Sequence, residues 1–357
     1  MTESVPAPIR GDCVWHGRDI ADSPRWVRDL SGEAVAGIDA ALARVKRRGL
    51  AWHEVTADDF ALDGATAALL DGVAEELETG LGLVKLRGLP VARYSEDELR
   101  CIWYGLAQHL GRPLYQSRTA DLMRAIRDEG RERDVGASYG QLQDSGGVFL
   151  SSYARTLSNG QLRFHTDRCD VVGLLCVRQA KTGGVSQLAS SPAIHNAMLE
   201  RRPDLAAALY EDIWRSRLGE EPDGENAAYP LPIFGQRDGR FTSHYSLTYI
   251  EAAQKMGHVP RLTPKQREAI EMLAALAHEL SFEMRFAPGD MQFLNNHVIY
   301  HARTPFEDDP APGQGRMLLR VWLSMPDSRA LPESHGVLWR ETEAGAMRGG
   351  IGQEAVG

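Results

Sequence analysis

The sequence is short of cysteine, of long apolar runs and of positive charge. Its four cysteines, Cys13, Cys101, Cys169 and Cys176, form no C-x-x-C pair. That excludes the familiar zinc and disulfide-framework signatures, and in a chain of 357 residues it suits a reducing compartment. No apolar stretch approaches the ~18 residues of a membrane span. The opening "MTESVPAPIRGDC" lacks the basic-then-apolar pattern of an export signal. The expected location is therefore the cytoplasm. A net charge of −9 argues against nucleic acid or an anionic membrane as partner. There is no glycine-rich strand-to-helix turn of the nucleotide-binding kind, no internal repeat and no low-complexity tract.

What is present is the composition of a soluble globular protein, 43% hydrophobic and 25% charged. A small-molecule substrate is the partner expected, and assembly into a homo-oligomer is compatible with these properties. Residues 1 to about 35 look like an extension packed on a body, and about 331 to 357 like a C-terminal tail, with one domain over the whole chain. Helical periodicity marks "AVAGIDAALARVKRR" and "TAALLDGVAEELETG", and the basic run "RVKRR" suits a helix C-terminus. "SEDELRCIWYGLAQHLGRP" opens with a capping box, Ser95 and Glu98. "SSPAIHNAMLERRPDLAAALY" and "LTPKQREAIEMLAALAHEL" read as helices with proline near the start. Short strand candidates follow: "LGLVKLRGLP", "VVGLLCVRQA", "YEDIWRS", "LPIFG", "RFTSHYSL", "SFEMRFA", "DMQFLNN", "HVIYHAR" and "RMLLRVWLS". Many short strands interrupted by a few helices predict a mainly β fold with helical insertions, a jelly roll or barrel. The polar, glycine-rich stretch 117–160 is expected to be a loop acting as a lid.

"FHTDRCD" places His165 and Asp167 two apart, on one side of an extended chain. "PGDMQFLNNHVIYHARTPFED" adds His297 and His301, four apart, in a stretch whose β-branched and aromatic residues favour a strand. Either histidine can join the first pair. Two imidazoles and one carboxylate are the ligand set of non-heme Fe(II) oxygenases, and zinc hydrolases use the same residue types. "GRMLLRVWLS" bears on that choice. In a strand, Arg316, Leu318, Arg320 and Trp322 share a face. A solvent face seldom holds a Leu–Trp pair, and a core seldom holds two unpaired cations. A cavity that binds a dianion resolves the conflict, because guanidinium groups grip carboxylates through paired, charge-assisted hydrogen bonds; a strand edge whose arginines reach out to water is the alternative.

"FHTD", "KTGGVSQLAS", "PGDMQFLNNHVIYHART" and "GRMLLRVWL", in this order, resemble the taurine dioxygenase (TauD/TfdA) family of Fe(II)/2-oxoglutarate-dependent oxygenases. The likeness runs over roughly two-thirds of the chain. It implies a double-stranded β-helix (jelly-roll, cupin-like) with His165, Asp167 and His301 as iron ligands. His301 takes that role because it stands in "HART", and His297 is implied to be a supporting residue. Ser186, in "GGVS", matches a threonine that helps hold the distal carboxylate of 2-oxoglutarate. Arg316 matches the arginine that salt-bridges the same carboxylate. Arg320 matches one near the proximal carboxylate or the substrate.

The implied cofactors are Fe(II), 2-oxoglutarate and O2. The implied activity is oxidation of an unactivated C–H bond, coupled to conversion of 2-oxoglutarate to succinate and CO2. The expected substrate is a small organic acid, an amino-acid-like molecule or a natural-product intermediate. Loops 117–160 and 217–260 would select it. Desaturation or cyclisation by the same machinery, and a non-catalytic metal-binding β-helix protein, are the alternatives. Asp167 occupies the position that related halogenases vacate for chloride, so halogenation is not expected. Asn295 and Asn296 are expected to cap or turn the chain beside the metal strand, with a hydrogen bond that supports a metal ligand as the alternative. Arg168 and Asp170 either pair with each other or turn one side chain to the substrate.

Overall fold

Strands that are apolar on both faces need cover on both sides, and two segments here, Met291–Asn295 and Met317–Ser324, are buried at every residue. The computed structural model describes residues 7–117, 119–130, 156–218, 225–311 and 313–351, with the backbone of two short strands at 141–144 and 147–150. The strands of its two main sheets are, in chain order, β1 (Val27–Asp29), β2 (Leu83–Arg87), β3 (Arg112–Pro113), β4 (Met123–Ile126), β5 (Leu162–His165), β6 (Val171–Arg178), β7 (Ser186–Ser190), β8 (Phe282–Met284), β9 (Met291–Asn295), β10 (Ile299–Arg303) and β11 (Met317–Ser324). The larger sheet runs β1-β2-β9-β6-β11-β3, with β4 also paired to β11, and the smaller runs β8-β7-β10-β5. The β1–β2 pair is parallel and the other ladders are antiparallel.

The two sheets face each other over one apolar layer. Val172, Cys176, Leu294, Leu318 and Trp322 of the larger sheet meet Leu188, Met284 and Ile299 of the smaller. Period-two alternation sends the intervening residues outward, where helices cover them. Helices α1 (Gly32–Arg48), α2 (Gly64–Thr79) and α3 (Glu96–Gln108) press Ile38, Val73 and Trp103 onto Phe293, Leu319 and Val321. On the other side, α4 (Ser191–Arg201), α5 (Pro203–Ala208), α6 (Leu247–Gln254) and α7 (Pro264–Leu280) cover Ala189, Tyr300 and Ala302. The expected double-stranded β-helix, mainly β with helical insertions, is what forms.

Local chemistry starts these helices. Ser31 and Asp63 accept the amides of Ala34 and Thr66, and Ser95–Glu98 and Thr263–Gln266 form capping boxes. The basic run ends α1 as expected, with Gly49 in the left-handed region behind it. The helical stretch after Ser190 breaks between Arg201 and Pro203, because the proline has no amide to continue the ladder. Among the described residues, no helix is long and apolar enough to cross a membrane.

Part of 117–160 is not loop. Met123–Ile126 extends the larger sheet alongside β11, and 141–144 pairs with 147–150; much of the expected lid lies outside the described residues. The stretch 217–260 carries the strands Ala228–Leu231, Phe234–Arg237 and Arg240–Ser243 besides α6. The chain after β11 folds back, so that the Ile351 amide donates to the Tyr115 carbonyl at 2.8 Å.

Candidate metal centre

β5 ends on His165, and the register of the smaller sheet sets His301 of β10 directly opposite. Their rings lie 4.2 Å apart between centroids. Asp167 follows just past the end of β5, with its backbone amide donating to Asn296 Oδ1 at 3.0 Å. One ligand atom from each of His165, Asp167 and His301 lies within 4.8 Å of the others. His165 Nε2 is 3.7 Å from one Asp167 oxygen, and His301 Nε2 is 4.0 Å from the other. Those separations are too long for hydrogen bonds.

The His165 Nδ1–H donates to the Arg163 carbonyl at 2.8 Å, which leaves Nε2 with its lone pair. His301 Nδ1 is buried without a partner. Burial, then the neighbouring His165, pushes the His301 imidazole down to about 3, and burial likewise lowers His165. Both rings are therefore neutral near pH 7. For Asp167 burial works upward, but Arg320, the two imidazoles and Trp322 outweigh it and hold the carboxyl below its usual range. Two neutral imidazoles and an ionised carboxylate form the donor set a divalent metal requires, and Fe(II) in particular. The residues fit the metal.

β11 braces the carboxylate. The Trp322 Nε1–H donates to Asp167 Oδ2 at 2.8 Å, and Arg320 Nη1 lies 3.7 Å from the same oxygen. Arg320 Nε donates to Gln116 Oε1 at 2.7 Å, and Gln116 Nε2 donates back to the Arg320 carbonyl at 2.9 Å. Alternation along β11 gives the shared face expected. Arg316, Leu318 and Arg320 line one cavity, and Arg320 and Trp322 line a second.

The inner cavity, between the sheets, also takes in Ser186, Gln292 and Arg303. Gly183 and Gly184 turn in the left-handed region before Ser186, and a Cβ at Gly184 would stand 3.0 Å from Arg316 Nε. Ser186 sits across from Arg303 on β10. The guanidinium groups of Arg303 and Arg316 both lie over the Phe306 ring, at 4.8 and 5.2 Å. Arg303 donates to the carbonyls of Ser158 and Gly160. Arg316 Nε and Nη1 are buried without a partner, and burial pushes the Arg316 guanidinium down to about 10. It stays a cation at pH 7, and it lines the inner cavity.

The outer cavity shares His165, Asp167 and Arg320 with the inner one. Arg168, Arg217, His244 and Tyr249 line it along with His165 and Asp167. Asp167 is the only carboxylate among the described residues lining either cavity, so nothing there is placed as the general base of a zinc hydrolase.

His297 lies in the three-residue turn between β9 and β10 and takes no part in the triad. Its Nε2–H donates to Asp170 Oδ1 at 2.8 Å, while Nδ1 accepts from the Thr242 hydroxyl at the same distance. Arg168 and Asp170 do not pair with each other. Asp170 is claimed by His297 and by Arg348 Nε at 2.8 Å, and Arg168 turns to the outer cavity, donating to the Leu338 carbonyl. Asn295 caps as expected, bonding the Leu77 carbonyl and the His297 amide, whereas Asn296 holds the backbone of Asp167. Sequence reasoning missed Gln116, Gln292, Arg303 and Arg217. Arg303, two residues after His301 on a strand, was open to the same alternation argument that found Arg320. The distant partners carried no such signal.

Residues 48–322 match the model of the taurine catabolism dioxygenase TauD, TfdA family. FR-33289 synthase of Streptomyces rubellomurinus is 30% identical over 339 residues, 94% of this chain and 95% of that protein. The taurine hydroxylase-like protein SAT17 of Stachybotrys chartarum is 31% identical over 329 residues, covering 90% and 81%. Among solved structures, asparagine oxygenase in complex with Fe(II), 3-hydroxyasparagine and succinate superposes with a TM-score of 0.62 at 17% identity, over 84% of this chain and 94% of that one. At that identity the likeness is one of fold.

Proposed function

The chain belongs to the TauD/TfdA family of dioxygenases, and from that premise we propose that His165, Asp167 and His301 hold its ferrous ion, with 2-oxoglutarate in the inner cavity and substrate in the outer one. It is a 2-oxoglutarate-dependent dioxygenase that uses Fe(II) and O2 and acts on a small molecule. The observation that carries the site assignment is the convergence of three donor atoms within 4.8 Å at the junction of two cavities, one of which holds an unpartnered arginine.

Bound Fe(II) with 2-oxoglutarate supplies the oxidising chemistry, in which O2 converts the keto acid to succinate and CO2 while its second oxygen atom goes to a substrate C–H bond. The protein's own groups bind, orient and exclude. Arg316 and Ser186 are assigned to the distal carboxylate of 2-oxoglutarate, where a guanidinium with two free donors supplies a charge-assisted grip. Arg320 borders both cavities and is assigned to the proximal carboxylate or the substrate. Trp322 and Arg320 keep Asp167 ionised, and Val172, Leu188 and Leu318 give the inner cavity its apolar walls.

The outer cavity, with Arg168, Arg217, His244 and Tyr249, suits a small acid or amino-acid-like molecule. Hydroxylation is the outcome we assign, in keeping with a relative named as hydroxylase-like and a fold neighbour named as an asparagine oxygenase. The free thiols among the described residues support the cytoplasm as its location. A succinate-release screen with Fe(II), 2-oxoglutarate, O2 and a panel of small acids tests the reading. Substrate-dependent succinate supports it, and no succinate together with no visible band from anaerobic Fe(II) and 2-oxoglutarate would overturn it.

A further inference from the structure

Gln292 lies in the middle of an apolar layer. It sits on β9, one of the inner strands of the larger sheet, and is 2% exposed. Neither Nε2 nor Oε1 has a hydrogen-bond partner. The cavity around it is lined by Val172, Leu174, Leu188, Leu294 and Leu318, a setting in which leucine or valine packs better than a carboxamide. A buried amide with nothing to bond is destabilising, so packing does not explain the residue type.

The register says what it faces. Gln292 pairs across with Leu174 of β6, and Leu174 pairs with Arg320 of β11. Directly opposed residues on neighbouring strands point to the same side, so Gln292 and Arg320 stand in one row on the inner face. Lys85 of β2 flanks Gln292 in that row, but its ammonium goes to Asp290 at 2.7 Å and to the Arg285 carbonyl at 3.0 Å. Among the residues lining this cavity, Gln292, Arg316 (Nε and Nη1) and Arg320 (Nη2) thus all present buried polar atoms with no protein partner. Such a set suits an occupant rich in acceptor oxygens and bearing negative charge. A neutral amide adds a donor without a further guanidinium charge.

Resting on the assignment of this cavity to 2-oxoglutarate, we infer that Gln292 is a further co-substrate-binding residue, its Nε2 amide donating to an oxygen of 2-oxoglutarate on the Arg320 side of the cavity. The experiment is an anaerobic titration of the Fe(II)-loaded protein with 2-oxoglutarate, followed by the visible charge-transfer band. It is run for wild type, Gln292→Leu and the isosteric Gln292→Glu, with unfolding temperatures measured on the ligand-free proteins. Gln292→Leu should bind 2-oxoglutarate about tenfold more weakly yet unfold at no lower temperature than wild type. Gln292→Glu should bind more weakly still, because a carboxylate then faces the dianion. If the leucine variant does not fold, the glutamate variant decides. Wild-type affinity in the variants would sink this inference alone and reduce Gln292 to a site for a buried water. Absence of the band in wild type would sink the 2-oxoglutarate assignment and this inference with it.

Discussion

Trp322 donates its indole N–H to Asp167 Oδ2 at 2.8 Å, so the strand that carries Arg316 and Arg320 also fixes the carboxylate of the proposed metal centre. A carboxylate that is free to rotate loses the orientation a metal selects, and partners of this kind commonly change metal affinity 10–100-fold. Trp322→Phe keeps the aromatic packing and deletes the donor. We expect Fe(II) affinity to fall by about tenfold, with little change in unfolding temperature, measured by titration against a competing chelator. Wild-type affinity would make the indole a packing residue only.

Asp167→Ala removes the sole carboxylate of the triad and leaves Trp322 and Arg320 facing empty space. Substrate-dependent succinate formation should drop by at least about 1000-fold, and the protein should purify with little iron. His301→Ala should match it, whereas His297→Ala should keep its iron, because His297 is bonded to Asp170 and Thr242. Wild-type turnover in Asp167→Ala would refute the ligand assignment.

Arg316→Leu separates binding from folding. The guanidinium has two unpartnered buried nitrogens, and hydrogen bonds to charged groups contribute about 1.5–3 kcal/mol each. The affinity for 2-oxoglutarate should fall by about 100-fold or more, read from succinate formation against co-substrate concentration. The ligand-free variant should be at least as stable as wild type, since a buried cation without a partner has been replaced by an apolar side chain. A large loss of stability would mean that Arg316 is a structural residue.

The parts of the site legible in the sequence were those that follow from local periodicity. Alternation put His165 with Asp167 and Arg316 with Arg320, and the β-branched and aromatic run of Val298, Ile299 and Tyr300 made a strand of the segment that contains His301. Periodicity left His297 and His301 open and the resemblance chose His301; the turn sends His297 toward Asp170 and leaves His301 opposite His165. Gln116 and Arg217 reach the site through contacts between segments far apart in the chain, which no short-range pattern encodes. The unbroken reading of 117–160 as a loop failed at Met123–Ile126 because edge pairing to β11, a tertiary choice, overrides weak local preference.

Asp170 makes acid the weak point of the fold. It is fully buried, accepting from His297, Arg348 and the Met325 amide. Burial works to raise its pKa, but these donors and charges outweigh it and hold the carboxyl below its ordinary value of 3.8. The stability it provides is therefore complete above about pH 4 and is lost as pH falls through the lowered folded value. His297 is lowered from 6.5, chiefly by burial. The unfolded chain takes up a proton there that the folded protein refuses, so stability also declines as pH drops below about 6.5. Both effects run the same way. Asp170→Asn leaves Arg348 buried without its counter-charge, which should cost about 3–5 kcal/mol at neutral pH. Its unfolding free energy should fall less steeply than that of wild type between pH 5 and 3, as measured by urea denaturation across that range. Parallel pH profiles for the two proteins would show that Asp170 is not the group that titrates.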